Sequence, residues 1–427
     1  MIATALVLLL ALIGLSIPVA AALGVLGLIL DPLYSMLPLS RAMGELAWSS
    51  NNEFLMVAIP LFILLGEVLL RAGFAESMYG AMSLWLSWLP GGLMHANIGA
   101  STLFSATSGS SVATAATVGT VAIPQIKRYG YNEPLFLGSL AAGGTLGILI
   151  PPSVNLVIYG VLTNASVPKL YLAGIIPGLM MAGLFMLTII AGCVVKPHWG
   201  GERIHATWGQ RLRSLVHLAP PLGIFLLVVG SIYAGIATPT EAAALGVLGA
   251  LILAACFGRL SFAMLREAIE GTMKTTAMIM LIIIAASFLN FIMSATGLID
   301  AITSSISSLG LTPTEMLIAV VIFYLILGCF METLSMMITT IPIVAPIMFK
   351  LGYDPIWLGI VIIILVEAAL ITPPVGLNLF VVQSLRKNGS MGAVISGSLP
   401  FVFAMFVMLL LLGIFPALAL FLPHAFG

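Results

Sequence analysis

Hydrophobic residues in this chain fall in long unbroken blocks, not in the one-faced or alternating patterns of a water-soluble fold. A helix needs about 20 mostly apolar residues to cross a bilayer. The blocks at 3–30, 53–71, 134–162, 169–195, 217–236, 240–258, 274–296, 355–383 and 393–422 predict spanning helices. The block at 75–90 is shorter. With Trp85 and Trp88 near its end it reads either as a short span or as a helix lying in the headgroup region. Residues 259–274 mix apolar and charged positions at helical spacing and predict an amphipathic helix on the membrane face. The first block has no basic residue before it and reads as a retained span, not a cleaved leader.

Two regions break this pattern. Residues 91–128 and 313–350 each hold two apolar pieces of roughly 15 residues, short for a pair of crossings. Each predicts a re-entrant hairpin that enters and leaves by one face, with tips near Ser108–Ser111 and Met331–Ser335. Lipid cannot satisfy a bare tip, so both must be packed in protein or line a wet cavity. A hydrophobic block interrupted by a proline pair follows each hairpin: Pro151-Pro152 in the first case, Pro373-Pro374 in the second. Proline removes a donor and blocks a continuous helical ladder, so both blocks predict broken helices. The two units repeat. Pro124 and Pro346, Gly130-Tyr131 and Gly352-Tyr353, and the two proline pairs all lie 222 positions apart. Paired interrupted segments in corresponding halves mark the binding site of secondary transporters.

Basic residues set the orientation. Placing Lys127 and Arg128, the group Lys196, Arg203, Arg211 and Arg213, the group Arg259, Arg266 and Lys274, and Arg386 with Lys387 in the cytoplasm is self-consistent. The first hairpin then opens inward, the second outward, and the two halves are inverted copies. Composition agrees: 61% of residues are hydrophobic and 7% charged, which excludes an ordinary soluble domain. Formal net charge is zero, which argues against a nucleic-acid partner. Cys193, Cys256 and Cys329 lie far apart in apolar segments and read as small buried hydrophobes. The five histidines, His95, His198, His205, His217 and His424, lack metal-ligand spacing.

The polar residues that remain inside apolar sequence are the candidate chemistry. Ser105, Thr107, Ser108, Ser110, Ser111 and Thr114 cluster at the first tip; Thr333, Ser335, Thr339 and Thr340 cluster at the second. Asn155 and Asn378 follow the two breaks. Hard cations prefer oxygen ligands, and broken helices expose backbone groups that suit ions. Two alkali-cation sites with a solute between them are the functional reading; ordinary packing of small residues between helices is the bland one. Intramembrane acids are costly, so Glu67, Glu241, Glu332 and Glu367 are candidates too. Glu241 follows Thr238-Pro239-Thr240 and reads as a first-turn helix residue.

On these residues the chain resembles the large membrane subunit of tripartite ATP-independent periplasmic (TRAP) transporters. The resemblance spans nearly the whole chain. It is carried by PLFILLGEVLLRAGF (60–74), SATSGSSVATAATVGTVAIPQIKRYGY (105–131), TPTEAAALGVLGAL (238–251), GGTLGILIPPSVNLVIYG (143–160) and ITPPVGLNLFV (371–381). It implies an all-α polytopic protein of the bacterial inner membrane, an inverted-repeat elevator-type secondary transporter forming a single unit over 1–427. The mobile transport domain would be built from 91–162 and 313–383, with 1–74, 169–296 and 393–422 mainly scaffold. It further implies cation-coupled symport, with sodium as the coupling ion and no other cofactor, of a small organic acid or related solute. The partners implied are a separate small membrane (Q) subunit and a periplasmic substrate-binding protein. Carried onto this sequence, the solute would meet Ser108, Gly109, Ser110, Thr114, Asn155, Thr333 and Asn378. Sodium would meet Ser108, Ser110, Ser111, Gly144 and Pro151 in one half, and Glu332, Thr333, Ser335, Thr372, Pro373 and Gly376 in the other.

Two other readings are weighed against this one. A self-sufficient sodium/carboxylate symporter or antiporter would share the inverted repeat and need no binding protein. An intramembrane enzyme would need a nucleophile motif at Ser108–Ser111, an H-E-x-x-H helix or paired aspartates, and the sequence has none of them. Nor does it contain a Walker phosphate-binding loop, so ATP hydrolysis is not expected of this chain.

Overall fold

Every named element among the described residues is a helix, one of the two forms, with the closed β-barrel, that satisfy all backbone groups without water. The structure is a computed structural model. It describes residues 1–15, 17–202, 206–307, 310–328, 331–386 and 388–426, without the side chains of 13, 106, 107, 303, 306 and 307. Arg203, His205, Cys329, Lys387 and the Thr107 hydroxyl therefore lie outside the described residues. Among the rest, seven helices are long and apolar enough to cross a membrane: Phe54–Arg71, Val167–Val195, Trp208–Tyr233, Pro239–Cys256, Phe262–Ala295, Thr333–Lys350 and Met391–Ile414.

Several boundaries differ from the sequence expectation, each for a local reason. The single span expected at 3–30 is two helices, Ile2–Gly14 and Val19–Tyr34, with extended Pro18 between them. The block at 393–422 likewise divides into Met391–Ile414 and Ala417–Phe426 on either side of Phe415-Pro416. The amphipathic segment 259–274 is not a separate surface helix. It is the start of one 34-residue helix, Phe262–Ala295, whose polar end is held by Arg71–Glu267 and Arg266–Glu270 ion pairs. The gap between the blocks 169–195 and 217–236 is shorter than the sequence spacing implies, because a Thr207–Gln210 capping box starts the next helix at Trp208. The helix at 75–90, Phe74–Leu86, has 13 residues. Both its ends touch basic neighbours: Arg259 packs over Phe74, and Arg211 donates to the Leu84 carbonyl. The helix is about 20 Å long, and its two ends meet arginines from two of the groups that the sequence places on one side.

The two interrupted units match at the level of single caps. Leu93–Ser108 and Ser111–Tyr129 form the first hairpin; Pro313–Leu327 and Thr333–Lys350 form the second. Glu133–Thr145 and Val154–Thr163 flank the first break; Pro355–Ile371 and Leu377–Ser384 flank the second. At the constant offset, Ser110 and Glu332 are both N-caps, as are Asn132 and Asp354. Gly130 and Gly352 both take positive φ, and both proline pairs contain a cis bond.

Packing divides the helices into two groups. Val19–Tyr34, Ala58–Arg71, Pro239–Cys256 and Phe262–Ala295 lie against one another. The hairpins and broken helices form the second group. Val167–Val195 and Met391–Ile414 pack with this second group. The closest approach is between Glu133–Thr145 and Met391–Ile414. A Cβ at Gly138 would meet the Gly397 backbone, and one at Gly397 would meet the backbone of Pro134. Backbone cannot step aside as a side-chain tip can. Gly397→Val is therefore expected to destabilise the purified protein by about 3 kcal/mol or more. Gly413→Ala has open space around the new methyl and should leave thermal stability unchanged or raise it by up to about 1 kcal/mol. Thermal unfolding of both variants in detergent checks this.

Candidate functional site

The first tip turns at Gly109, whose φ of 59° favours glycine. Extended Ser110 follows and caps the next helix, its Oγ accepting from the Ala113 amide at 3.4 Å. Thr114 Oγ1 donates to the Ser110 carbonyl at 2.7 Å and lies 3.1 Å from Ser108 Oγ. Ser108, Ser111 and Thr114 are buried. The tip is thus a knot of local hydrogen bonds that replaces the lost helical ladder.

One hydroxyl closes the first break. Ser153 Oγ donates to the Ile148 carbonyl at 2.6 Å and accepts from the Leu156 amide at 3.4 Å, serving the helix on each side. The tip is pressed onto this break. A Cβ at Gly147 would lie 2.7 Å from the Ser110 carbonyl oxygen, and one at Gly109 would lie 3.2 Å from that of Pro152.

The second tip uses a carboxylate where the first uses a hydroxyl. Glu332 Oε2 accepts from the Leu334 and Ser335 amides at 3.0 and 3.2 Å, and Oε1 accepts from Thr333 Oγ1 at 2.8 Å. An anion at a helix N-terminus is favourable, so Glu332 has a structural task as well as a place at the site. At the second break Thr372 Oγ1 donates to the Ala368 carbonyl at 2.6 Å, and Gly376 starts the next helix with a φ of 57° and no side-chain cap.

These parts meet at a cavity of about 120 Å³. Ser108, Gly109, Ser110 and Ser111 line it from the first tip, Asn155 from beyond the first break, and Glu332 and Thr333 from the second tip. Seven expected site residues are therefore brought together. Thr114 lies one layer behind, bonded to Ser108 and Ser110, and Ser335 belongs to the Glu332 cap. The other expected residues do not reach this cavity. Asn378 is buried against the first broken helix, donating to the Ala141 carbonyl at 3.2 Å beside Gly144, and its Oδ1 has no partner among the described residues. Pro151, Thr372, Pro373 and Gly376 do not line it either. A second cavity, of about 160 Å³, runs from Glu332 and Thr333 to Val375 and Leu377 at the second break. The two cavities share Glu332 and Thr333 on their walls.

The sequence reading did not assign the wall that the first helix group contributes to this site. Gly66, Glu67 and Thr275 line the first cavity. A Cβ at Gly66 would lie 2.7 Å from the Ser108 carbonyl oxygen, so the first tip touches the scaffold backbone there. Glu67 was visible as an intramembrane acid. It accepts from Arg71 Nε at 2.9 Å, and Arg71 Nη1 reaches Glu267 at 2.6 Å. A glycine beside an acid in an otherwise apolar block was the available signal. Of the other acids, Glu241 closes a capping box with Thr238, as expected of a first-turn residue. Glu367 is fully buried and faces the Leu149 backbone without closing a hydrogen bond among the described residues. No group of three His, Cys, Asp or Glu able to hold a metal occurs among the described residues.

An all-helical apolar chain whose capped tips and helix breaks enclose a polar cavity is a transporter permease of the membrane. A family model described as "Tripartite ATP-independent periplasmic transporter, DctM component" matches residues 6–418, and the chain belongs to that family. It is a permease of the bacterial inner membrane and not an enzyme. It is 34% identical to the C4-dicarboxylate TRAP transporter large permease protein DctM of Pseudomonas aeruginosa, over 91% of this chain and 90% of the relative. It is 32% identical to the isethionate TRAP transporter permease protein DctMQ of Oleidesulfovibrio alaskensis, over 95% of this chain and 64% of the relative. Its fold is similar to that in a crystal structure of the Alcanivorax borkumensis YdaH transporter. The TM-score is 0.64 at 15% sequence identity, covering 93% of this chain and 96% of the other.

The Glu332 cap gives a direct test. Glu332→Ala leaves the Leu334 and Ser335 amides without their acceptor, and the expected loss is about 1–2 kcal/mol of stability. Glu332→Gln keeps an acceptor and should cost less than half of that. Thermal unfolding in detergent separates the two variants.

Proposed function

We propose that this chain imports a small organic acid or related solute, coupled to sodium, by carrying a group of hairpins and broken helices past a fixed scaffold. A periplasmic binding protein would deliver the solute, and a small membrane subunit would extend the scaffold. The observation that supports the reading is the shared cavity: both tips and the first break line it on one side, and scaffold residues Gly66, Glu67 and Thr275 close the other.

The chemistry of the wall fits an anion travelling with a cation. Helices beginning at Ser111 and Val154 both start at this cavity with neutral hydroxyl caps, and helix N-termini favour negative groups. The hydroxyls, carbonyls and the Glu332 carboxylate supply the oxygen ligands that a hard cation prefers. The membrane potential adds about 2.3 kcal/mol per translocated charge per 100 mV. Relatives named for C4-dicarboxylates and isethionate are consistent with an anionic solute.

Sodium binding is tested by thermal unfolding of the purified permease in sodium against potassium at equal ionic strength. A ligand at ten times its Kd stabilises the folded state by about 1.4 kcal/mol. Sodium-specific stabilisation is expected in the parent protein and should be lost in Ser110→Leu and Asn378→Leu. The same variants should abolish sodium-driven uptake in vesicles. Equal stability in both salts, with uptake intact in both variants, would overturn the sodium assignment.

A further inference from the structure

The second cavity differs in character from the first. Glu332 and Thr333 form the edge the two share; among the described residues the rest of its wall is aliphatic or thioether, with Met331, Met336, Val366, Leu370 and Val375 among them. Its volume of about 160 Å³ equals roughly five waters, room for a substituent of roughly four to six carbons.

The polar groups allow one anionic place, not two. The N-terminus of Thr333–Lys350 is already occupied by the Glu332 carboxylate. The N-termini at Ser111 and Val154 carry no such internal anion: hydroxyls of Ser110 and Ser153 cap them, and Ser111, Val112 and Val154 stand on the cavity wall. A carboxylate therefore has its favourable seat at the first tip. A second carboxylate on the same solute would pass Glu332 into the apolar chamber. The one hydroxyl at that edge, Thr333 Oγ1, already donates to Glu332. Burying a charge without a partner is strongly unfavourable, whereas an alkyl or aryl group there leaves water at a gain.

We propose that the second cavity receives the apolar substituent of a monocarboxylate whose carboxylate sits at the first tip. The permease then favours acids with a branched or aromatic side chain over C4 dicarboxylates. This rests on the organic-acid reading above and names the class of acid.

The test is binding to the purified full-length permease in sodium, followed by thermal stabilisation with 4-methyl-2-oxopentanoate, phenylpyruvate, pyruvate and succinate. The branched acid is expected to stabilise at concentrations at least about tenfold below those succinate requires. Val375 is 40% exposed, so a larger residue fits there without invading the core. Val375→Phe should fill the chamber and lower the preference for 4-methyl-2-oxopentanoate over pyruvate by about tenfold. Met331→Ala should enlarge it and raise the preference for phenylpyruvate over pyruvate. Because one variant lowers and the other raises a preference measured against pyruvate, loss of fold cannot mimic the result. Succinate binding as tightly as the branched acid, or ratios unchanged in both variants, overturns the chamber assignment and leaves the organic-acid reading standing. If none of the four acids binds in sodium, and vesicles with the full tripartite system take up none of them, the organic-acid reading falls and the chamber assignment with it.

Discussion

The constraint on which this structure depends is that backbone which leaves the helix inside a membrane must find its hydrogen bonds within the protein. Four places leave the helix: two tips and two breaks. At each of them a side chain supplies a missing bond. Ser110 and Thr114 tie the first tip, Ser153 bridges the first break, and Glu332 caps the second tip. At the second break Thr372 returns to Ala368, and Gly376 turns the chain. Glycines do the complementary work. Gly109 and Gly147 let the first tip lie on the first break, and Gly138 and Gly397 let two helix backbones touch beside it. The polar cavity exists because these groups must be enclosed, and enclosure places them together.

The repeat is symmetric in backbone and asymmetric in chemistry. Matching caps at Asn132 and Asp354, and at Ser110 and Glu332, show one architecture used twice. Yet the first N-terminus is capped by a neutral hydroxyl and the second by a carboxylate. Asn155 faces Met337 of the second hairpin, whereas Asn378 turns to Ala141 and Gly144 of the first broken helix. Each asparagine therefore reaches into the opposite repeat, but only the first lines the shared cavity. A solute between the tips meets two different surfaces, as discrimination between the ends of an asymmetric molecule requires.

Much of this was legible in the sequence because membranes make patterning strict. Blocks of apolar residues located the long helices, and the 222-residue offset located both hairpins and both breaks. The family resemblance supplied the site residues, seven of which share one cavity. What could not be read follows from packing. Whether 259–274 is a surface helix or the start of Phe262–Ala295 depends on the Arg71–Glu267 pair, which joins residues 196 positions apart. Whether Phe74–Leu86 crosses or lies flat depends on Arg211 and Arg259, far along the chain. The grouping of Met391–Ile414 with the broken helices depends on a Gly138–Gly397 contact that local pattern does not mark. The scaffold wall of the site was hidden for the same reason: Gly66 has meaning only once Ser108 lies against it.

That contact bears on how the two helix groups relate. Within each group, polar bonds join distant segments. Arg386 pairs with Glu133 at 2.5 Å, Tyr159 donates to the Pro355 carbonyl and Trp357 to that of Leu412. On the scaffold side Arg71 pairs with Glu267, Arg259 donates to the Ala72 carbonyl and Thr240 to that of Phe54. Between the groups the contact is of another kind. It includes apolar side chains such as Phe62 against Tyr171, the Gly66 notch at Ser108, and a Tyr233 hydroxyl donating to the Pro168 carbonyl. Apolar packing has little directional preference, so a surface of this kind can shift register at lower cost than one held by fixed donors and acceptors. The first tip meets Phe54–Arg71 at Gly66, five residues or about 7.5 Å from the end that lies on the basic side. The cavity thus stands nearer that side than the middle of the scaffold helix.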